Sequence, residues 1–219
     1  RCWYFRGEFD CLRKGGDICY AVDGENKYHC IVGGGPCFIV HPSDTAVALL
    51  ALAAELTVFD GKKSREIPMD KFFVLPEKNV MRENILKPGE IVTEIRVPPL
   101  PDGSRSAYLK VKERGAWDFA MVSVAAVLKI SSNMISSGTM AYGGVAPVPW
   151  KDTSINRQLN NLAITDQNMQ KLAQQVFADG QASFGADPAE VQPSPFLLGY
   201  GKEVENKREV EQNTFLPQQ

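Results

Sequence analysis

The stretch Val122-Ser123-Val124-Ala125-Ala126-Val127-Leu128-Lys129-Ile130-Ser131-Ser132-Asn133-Met134-Ile135-Ser136-Ser137-Gly138-Thr139-Met140-Ala141-Tyr142 decides the fold. Val122, Val124, Ala126, Leu128 and Ile130 occupy alternate positions, the period of a strand that turns one face to a core. Ser131-Ser132-Asn133 supplies turn residues, and residues 134–142 return as a second strand. A third strand is predicted over residues 107–112, so this half reads as an antiparallel sheet. A helix is predicted to follow Thr165 or Asp166. Met169, Leu172, Ala173 and Val176 recur there at helical spacing and read as core. Helices are expected on one face of the sheet. The polar tail after Gly199 is expected to be partly disordered.

Working back toward the N-terminus, Pro98-Pro99-Leu100-Pro101-Asp102-Gly103 breaks regular structure and marks a domain boundary. The expected units are residues 1–100, with a cysteine-rich insertion over 1–40, and residues 101–219. Within the first, a helix is predicted over residues 45–56. Ser43 or Asp44 can cap it, and an acidic side chain there suits the positive end of the helix dipole. Short strands over 57–60 and 65–68 flank Gly61-Lys62-Lys63. A loop over 69–89 leads to a strand at 91–97.

The chain has 219 residues, 44% of them hydrophobic, enough for one large domain or two small ones. Its 24 basic and 26 acidic residues leave a net charge of −2, and the longest charge run, residues 202–211, mixes signs. Nucleic-acid binding is therefore not expected. No apolar run reaches the length of a membrane span. Arg1-Cys2-Trp3-Tyr4 shows neither a starting Met nor a signal pattern, so the chain reads as an internal fragment or a trimmed product.

All five cysteines fall in the first 37 residues: Cys2, Cys11, Cys19, Cys30 and Cys37. Glycines surround them, including Gly33-Gly34-Gly35. Four readings stand side by side. A disulfide knot suits small secreted domains with an even cysteine count, and this count is odd. A structural zinc site usually shows paired hooks two to four residues apart, and none is present. An iron–sulfur cluster tolerates looser spacing, because a long loop can place thiolates around a larger inorganic body. Unconnected buried cysteines are the fourth. Thiol-rich chemistry without a signal pattern favours a reducing cytoplasm. The two histidines, His29 and His41, pair with no nucleophile in the sequence, so no catalytic acid or base is assigned.

Several segments, taken in order, resemble one family. They are Pro42-Ser43-Asp44-Thr45-Ala46-Val47-Ala48-Leu49, Gly89-Glu90-Ile91-Val92-Thr93-Glu94-Ile95, Ala107-Tyr108-Leu109-Lys110, Asp118-Phe119-Ala120-Met121-Val122 and Tyr142-Gly143-Gly144-Val145-Ala146-Pro147. Together they look like the FAD-binding (medium) subunit of the molybdenum hydroxylases, of the xanthine dehydrogenase and carbon monoxide dehydrogenase type. The match covers roughly residues 1–150 and is looser beyond. The resemblance implies an α+β fold, in which the C-terminal part of an FAD-binding α/β subdomain precedes an antiparallel sheet packed with helices.

The cysteine segment is similar to an insertion found in only some members, such as 4-hydroxybenzoyl-CoA reductase. The residues that carry this are Arg1-Cys2-Trp3-Tyr4-Phe5-Arg6, Cys11-Leu12-Arg13-Lys14, Gly16-Asp17-Ile18-Cys19 and Pro36-Cys37. The resemblance implies a [4Fe–4S] cluster on Cys2, Cys11, Cys19 and Cys37, with Cys30 apart. It also implies flavin contacts at Asp44, Val92 and Lys110, with Ser43 beside them and Trp117 able to stack on or shield the ring. The family's two glycine-rich pyrophosphate segments are missing. Gly33-Gly34-Gly35 sits in the insertion instead of between a strand and a helix, and reads as a flexible loop.

The implied role is electron transfer between iron–sulfur clusters and FAD. The partners would be a large subunit with the molybdenum cofactor, a small subunit with [2Fe–2S] clusters, and an external electron acceptor. The rival is a non-enzymatic, zinc-binding interaction module.

Overall fold

The computed structural model describes residues 2–176. The polar tail after Gly199 lies outside the described residues. Two antiparallel sheets and a helix between them organise the molecule.

Helix α2 (Asp44–Ala51) begins where the sequence predicts. Ser43 is its N-cap, with the hydroxyl accepting from Ala46 N at 3.1 Å. Asp44 stands in the first turn. The helix stops at Ala51, five residues short of the predicted end, and Ala53 takes a left-handed φ of 53°. Leu52, Ala53 and Ala54 are good helix formers, but Glu55 must already pair with Pro68 and Arg96 in a sheet. Tertiary pairing overrides propensity here.

That sheet has strands β1 (Glu55–Phe59), β2 (Ser64–Pro68) and β3 (Ile91–Arg96), in the order β2-β1-β3. Strand β3 is an exposed edge along its whole length. The second sheet has the order β4-β5-β6-β7, all antiparallel, from β4 (Ser104–Val111), β5 (Val122–Ser131), β6 (Met134–Gly143) and the short β7 (Leu162–Ala163). Ser132 and Asn133, both at positive φ, make the tight β5–β6 turn.

Alternation along β5 builds two faces, and both are covered. Val122 and Val124 pack toward Tyr142 and Trp150, and Leu128 packs toward α3 (Thr153–Gln158) and α4 (Asp166–Gln175). Ile155, Leu159 and Leu172 fill that side. The opposite face carries Ser123, Ala125, Ala141 and Gly143, and α2 lies on it through Ala46, Val47 and Leu50. Small residues let the helix approach closely: a Cβ on Gly143 would come within 2.7 Å of Val47. The expectation of helices on one face is met by α3 and α4 alone. Helix α2, from before residues 98–103, covers the second face.

The same core continues from α2 to Leu56, Val58, Ile67 and Met69 of the first sheet region. Val47 and Val58 are each 1% exposed. Side chains buried this fully contribute about 1.5–3 kcal/mol apiece. The two halves of the chain thus share one core around α2. No helix among the described residues is long and apolar enough to cross a membrane.

Candidate metal and flavin site

The cysteine segment contains only two short helical pieces, α1 (Trp3–Arg6) and a 3-10 turn (Leu12–Lys14). Three cysteines each open a tight turn. Cys2 O accepts from Arg6 N, Cys11 O from Lys14 N and Cys19 O from Val22 N, at 3.2, 2.8 and 3.1 Å. A cysteine at the head of a turn is held by the backbone while its side chain stays free to point elsewhere. Tyr4, Ala21, Cys30, Phe38 and Val40 form a small core beneath them.

Cys2, Cys11, Cys19 and Cys37 line one cavity, with Tyr4, Arg13, His29 and Ile39 among its other walls. Cys30 is not part of that lining; it is fully buried in the small core behind. None of the five cysteines forms a disulfide. The thiol of Cys37 hydrogen-bonds Cys19, and this chiefly draws the Cys19 pKa down to about 6, against burial. The same bond, with burial, pushes Cys37 up, opposed by the Arg13 guanidinium. Burial pushes Cys30 up to about 12, and nearby Cys37 adds to it. A thiolate is the form that binds metals, which the lowered Cys19 suits. Cys37 and Cys30 are both held toward the thiol, and what sets Cys30 apart is its place behind the cavity. Among the described residues no three His, Cys, Asp or Glu side chains converge tightly enough to hold one metal ion.

Two cavity residues gave no signal in the sequence. Arg13 is buried and donates from Nε to Cys37 Sγ at 3.4 Å. His29 Nε2 lies 3.3 Å from Cys2 Sγ, so a histidine does meet a potential nucleophile. Neither partner is near in sequence, and no spacing rule would have found them.

Gly33-Gly34-Gly35 is tightly packed at two positions. A Cβ on Gly33 would meet Trp150 at 2.7 Å, and one on Gly34 would meet Cys30 Sγ at 2.6 Å. Close packing explains these glycines better than a flexible loop does. The segment is further tied to the turn after β6: Ile31 N and Val32 N donate to Val145 O, and His41 N donates to Ala146 O.

Of the predicted flavin residues, Asp44 and Lys110 come together. Lys110 Nζ donates to Asp44 Oδ2 and to the Asp118 carbonyl, both at 2.7 Å. Tyr108 lies beside them, its phenol pushed up by burial first and by Asp44 second. Ser43 serves as the α2 cap. Val92 stands on the edge strand β3, opposite Val58, on a different sheet from Lys110. Trp117 is 97% exposed at the tip of the loop after β4, at a φ of 53°. Asp118 organises this loop by accepting from Glu113 N and Arg114 N at 3.0 Å. Lys27 Nζ and Tyr28 Oη then bind Glu113 at 2.7 and 2.6 Å, which links the cysteine segment to the loop.

Residues 15–100 match the FAD binding domain in molybdopterin dehydrogenase, and residues 106–189 match the CO dehydrogenase flavoprotein C-terminal domain. The chain belongs to the FAD-binding medium subunits of the molybdenum hydroxylases. Among relatives of this family, it is 37% identical to the aldehyde oxidoreductase FAD-binding subunit PaoB of Escherichia coli, over 73% of this chain and 50% of that protein. It is 30% identical to the carbon monoxide dehydrogenase medium chain of Hydrogenophaga pseudoflava, over 72% of this chain and 51% of that one. A solved carbon monoxide dehydrogenase from the same organism, lacking the Mo-pyranopterin moiety of its cofactor, shares the fold. Its TM-score is 0.57 at 22% identity, covering 84% of this chain and 58% of that one. The chain spans about half the length of the curated relatives it matches. The mixed α+β architecture with antiparallel sheets is the one expected. The comparisons lend no support to the zinc-module alternative.

Proposed function

We propose that this chain is part of an electron-transfer subunit that holds a [4Fe–4S] cluster on Cys2, Cys11, Cys19 and Cys37 and FAD beside Asp44, Val92 and Lys110. The carrying observation is selective: four of the five cysteines line one cavity, and Cys30 is not among them. A single zinc ion needs its ligands within ~2.3 Å of one point. A four-iron cluster takes one thiolate on each iron and needs them spread around a larger body. The donor set fits the second.

When bound, the two groups supply one- and two-electron redox chemistry. The chain's own residues do the rest. Lys110 places a cation where negative charge develops on a reduced flavin, and Asp44 orients it. Ser43 fixes the start of the helix that carries Asp44. Trp117 is free to cover the ring. The proposed partners are a large subunit with the molybdenum cofactor, a small subunit with [2Fe–2S] clusters and an external acceptor, in a reducing cytoplasm. FAD binding by this chain alone is proposed to be weak or absent, because phosphates need clustered backbone N–H donors and the family's glycine-rich segments are missing here.

The test uses the intact subunit prepared anaerobically. Cys19→Ser should lose iron and sulfide, and Cys30→Ser should keep both. Full iron content in Cys19→Ser would overturn the ligand set, and zinc in place of iron and sulfide would overturn the cluster. Flavin fluorescence titration checks the second site: Lys110→Ala should weaken FAD binding about tenfold, ~1.4 kcal/mol. Stoichiometric, tight FAD binding by the 219-residue chain alone would mean the phosphate site is misplaced.

A further inference from the structure

Arg13 is a desolvated cation with two unlike partners. Its side chain is 5% exposed, and arginine is seldom buried this far without a paired charge. Nη1 meets Glu83 Oε1 at 3.2 Å, but the Glu83 side chain is half exposed, so that pair is partly screened. Nε points the other way and donates to Cys37 Sγ at 3.4 Å. A guanidinium stays protonated in proteins, so this charge is constant. Its position follows from the 3-10 turn that begins directly after Cys11, which carries Arg13 into the same cavity wall.

We infer that Arg13 is a positioning and tuning residue of the metallocentre. It orients the Cys37 sulfur and raises the reduction potential, while Glu83 opposes it. The inference rests on the cluster reading above. One-electron reduction adds one negative charge to the cluster, taken from an external donor, and breaks no bond. A nearby cation and an N–H donor on a ligand sulfur favour the more negative state, and both act on the potential of such clusters. A carboxylate behind the cation weakens that effect. A mere staple between the cysteine turn and the loop bearing Glu83 would treat the two partners alike. Tuning treats them with opposite sign.

The experiment is a dithionite titration of the intact, anaerobically prepared subunit, followed by electron paramagnetic resonance, with iron and sulfide measured on each sample. Arg13→Gln should retain iron and lower the midpoint by about tenfold in the reduction equilibrium, ~59 mV for one electron. Arg13→Lys, which keeps the charge, should recover part of the shift. Glu83→Gln should raise the midpoint. An unchanged midpoint in iron-replete Arg13→Gln overturns the inference. So does a Glu83→Gln midpoint that is unchanged or lowered, and this arm decides if Arg13→Gln loses its iron. Wild-type subunit without iron and sulfide would overturn the cluster reading itself, and that failure shows before any variant is made.

Discussion

The cysteine segment and the four-stranded sheet are held by different physics. In the sheet, β4 and β5 pair without a break over eight residues, β5 and β6 pair along their length with one register shift at Lys129/Ile130, and β5 turns alternate side chains to the two cores. In residues 2–40 the backbone closes short turns and one isolated bridge, Cys11 to Ile18, over a small core, and several side-chain contacts reach far along the chain. Arg13 meets Glu83, Lys27 meets Glu113 and Gly33 meets Trp150. The sheet carries its own instructions locally. The cysteine segment depends on what it encloses and what it leans on.

The largest contrast is expected on removing the metallocentre. Anaerobic chelation of the intact subunit should speed proteolysis within residues 2–40 at least about tenfold, because metal ligation supplies folding energy to such loops. Amide exchange in β5 and β6 should stay as it was. Equal loosening of both regions, read by hydrogen exchange, would show that the sheet also leans on the cysteine segment.

Truncation inside the sheet's helix-covered face should come next. Leu159 is 1% exposed and packs with Ile135, Ile155 and Leu172. Leu159→Ala should cost about 2–5 kcal/mol by lost burial and a residual cavity. Thermal melting should show the loss, and iron content should hold. A variant that lost iron as readily as stability would make the two regions one cooperative unit.

This contrast also explains what the sequence could reveal. The β5–β6 hairpin was legible because Val122, Val124 and Leu128 alternate with smaller residues around a Ser-Ser-Asn turn. The second buried face was not, because Ser123, Ala125, Ala141 and Gly143 carry almost no hydrophobic signal. The start of α2 was legible from Ser43 and Asp44. Its end was hidden among Leu52, Ala53 and Ala54, which any helix would accept. Helix α3 was missed altogether, although Asp152 caps it by accepting from Ser154 N and Ile155 N. Six residues are too few to show a period. At the site, resemblance singled out four cysteines, while Arg13 and His29 had to wait for the fold, because their partners lie 70 and 27 residues away.

A smaller effect tests the glycines. Gly34→Ala would place a Cβ 2.5 Å from Phe38 Cδ1 and 2.6 Å from Cys30 Sγ. Overpacking of this kind costs about 1–3 kcal/mol. Chemical denaturation of the intact subunit should show that loss. Unchanged stability would return this triplet to the status of a pliable loop.

The smallest effect lies at the junction of the two regions. His41 follows the cysteine segment directly and packs its ring on Phe73, with centroids 4.6 Å apart. Neither ring nitrogen has a hydrogen-bond partner among the described residues. Burial lowers its pKa below the ordinary 6.5, and the Glu83 carboxylate opposes this only in part. The unfolded chain therefore binds the proton more readily than the folded one. The sign follows from linkage. Above pH 6.5 His41 is neutral in both states and costs nothing. As pH falls from 6.5 through the depressed folded value, the unfolded state gains protons first, and stability is lost. Below the folded value the loss is complete and levels off. His41→Leu keeps an apolar side chain against Phe73 and removes the titration. Urea unfolding of the intact subunit between pH 8 and pH 5 should give a wild-type curve that falls on the acid side more steeply than the variant's. The other titrating groups are common to both proteins and cancel in the difference. Parallel curves would mean that the folded chain leaves His41 as open to protonation as the unfolded one, and that its ring is not held buried against Phe73.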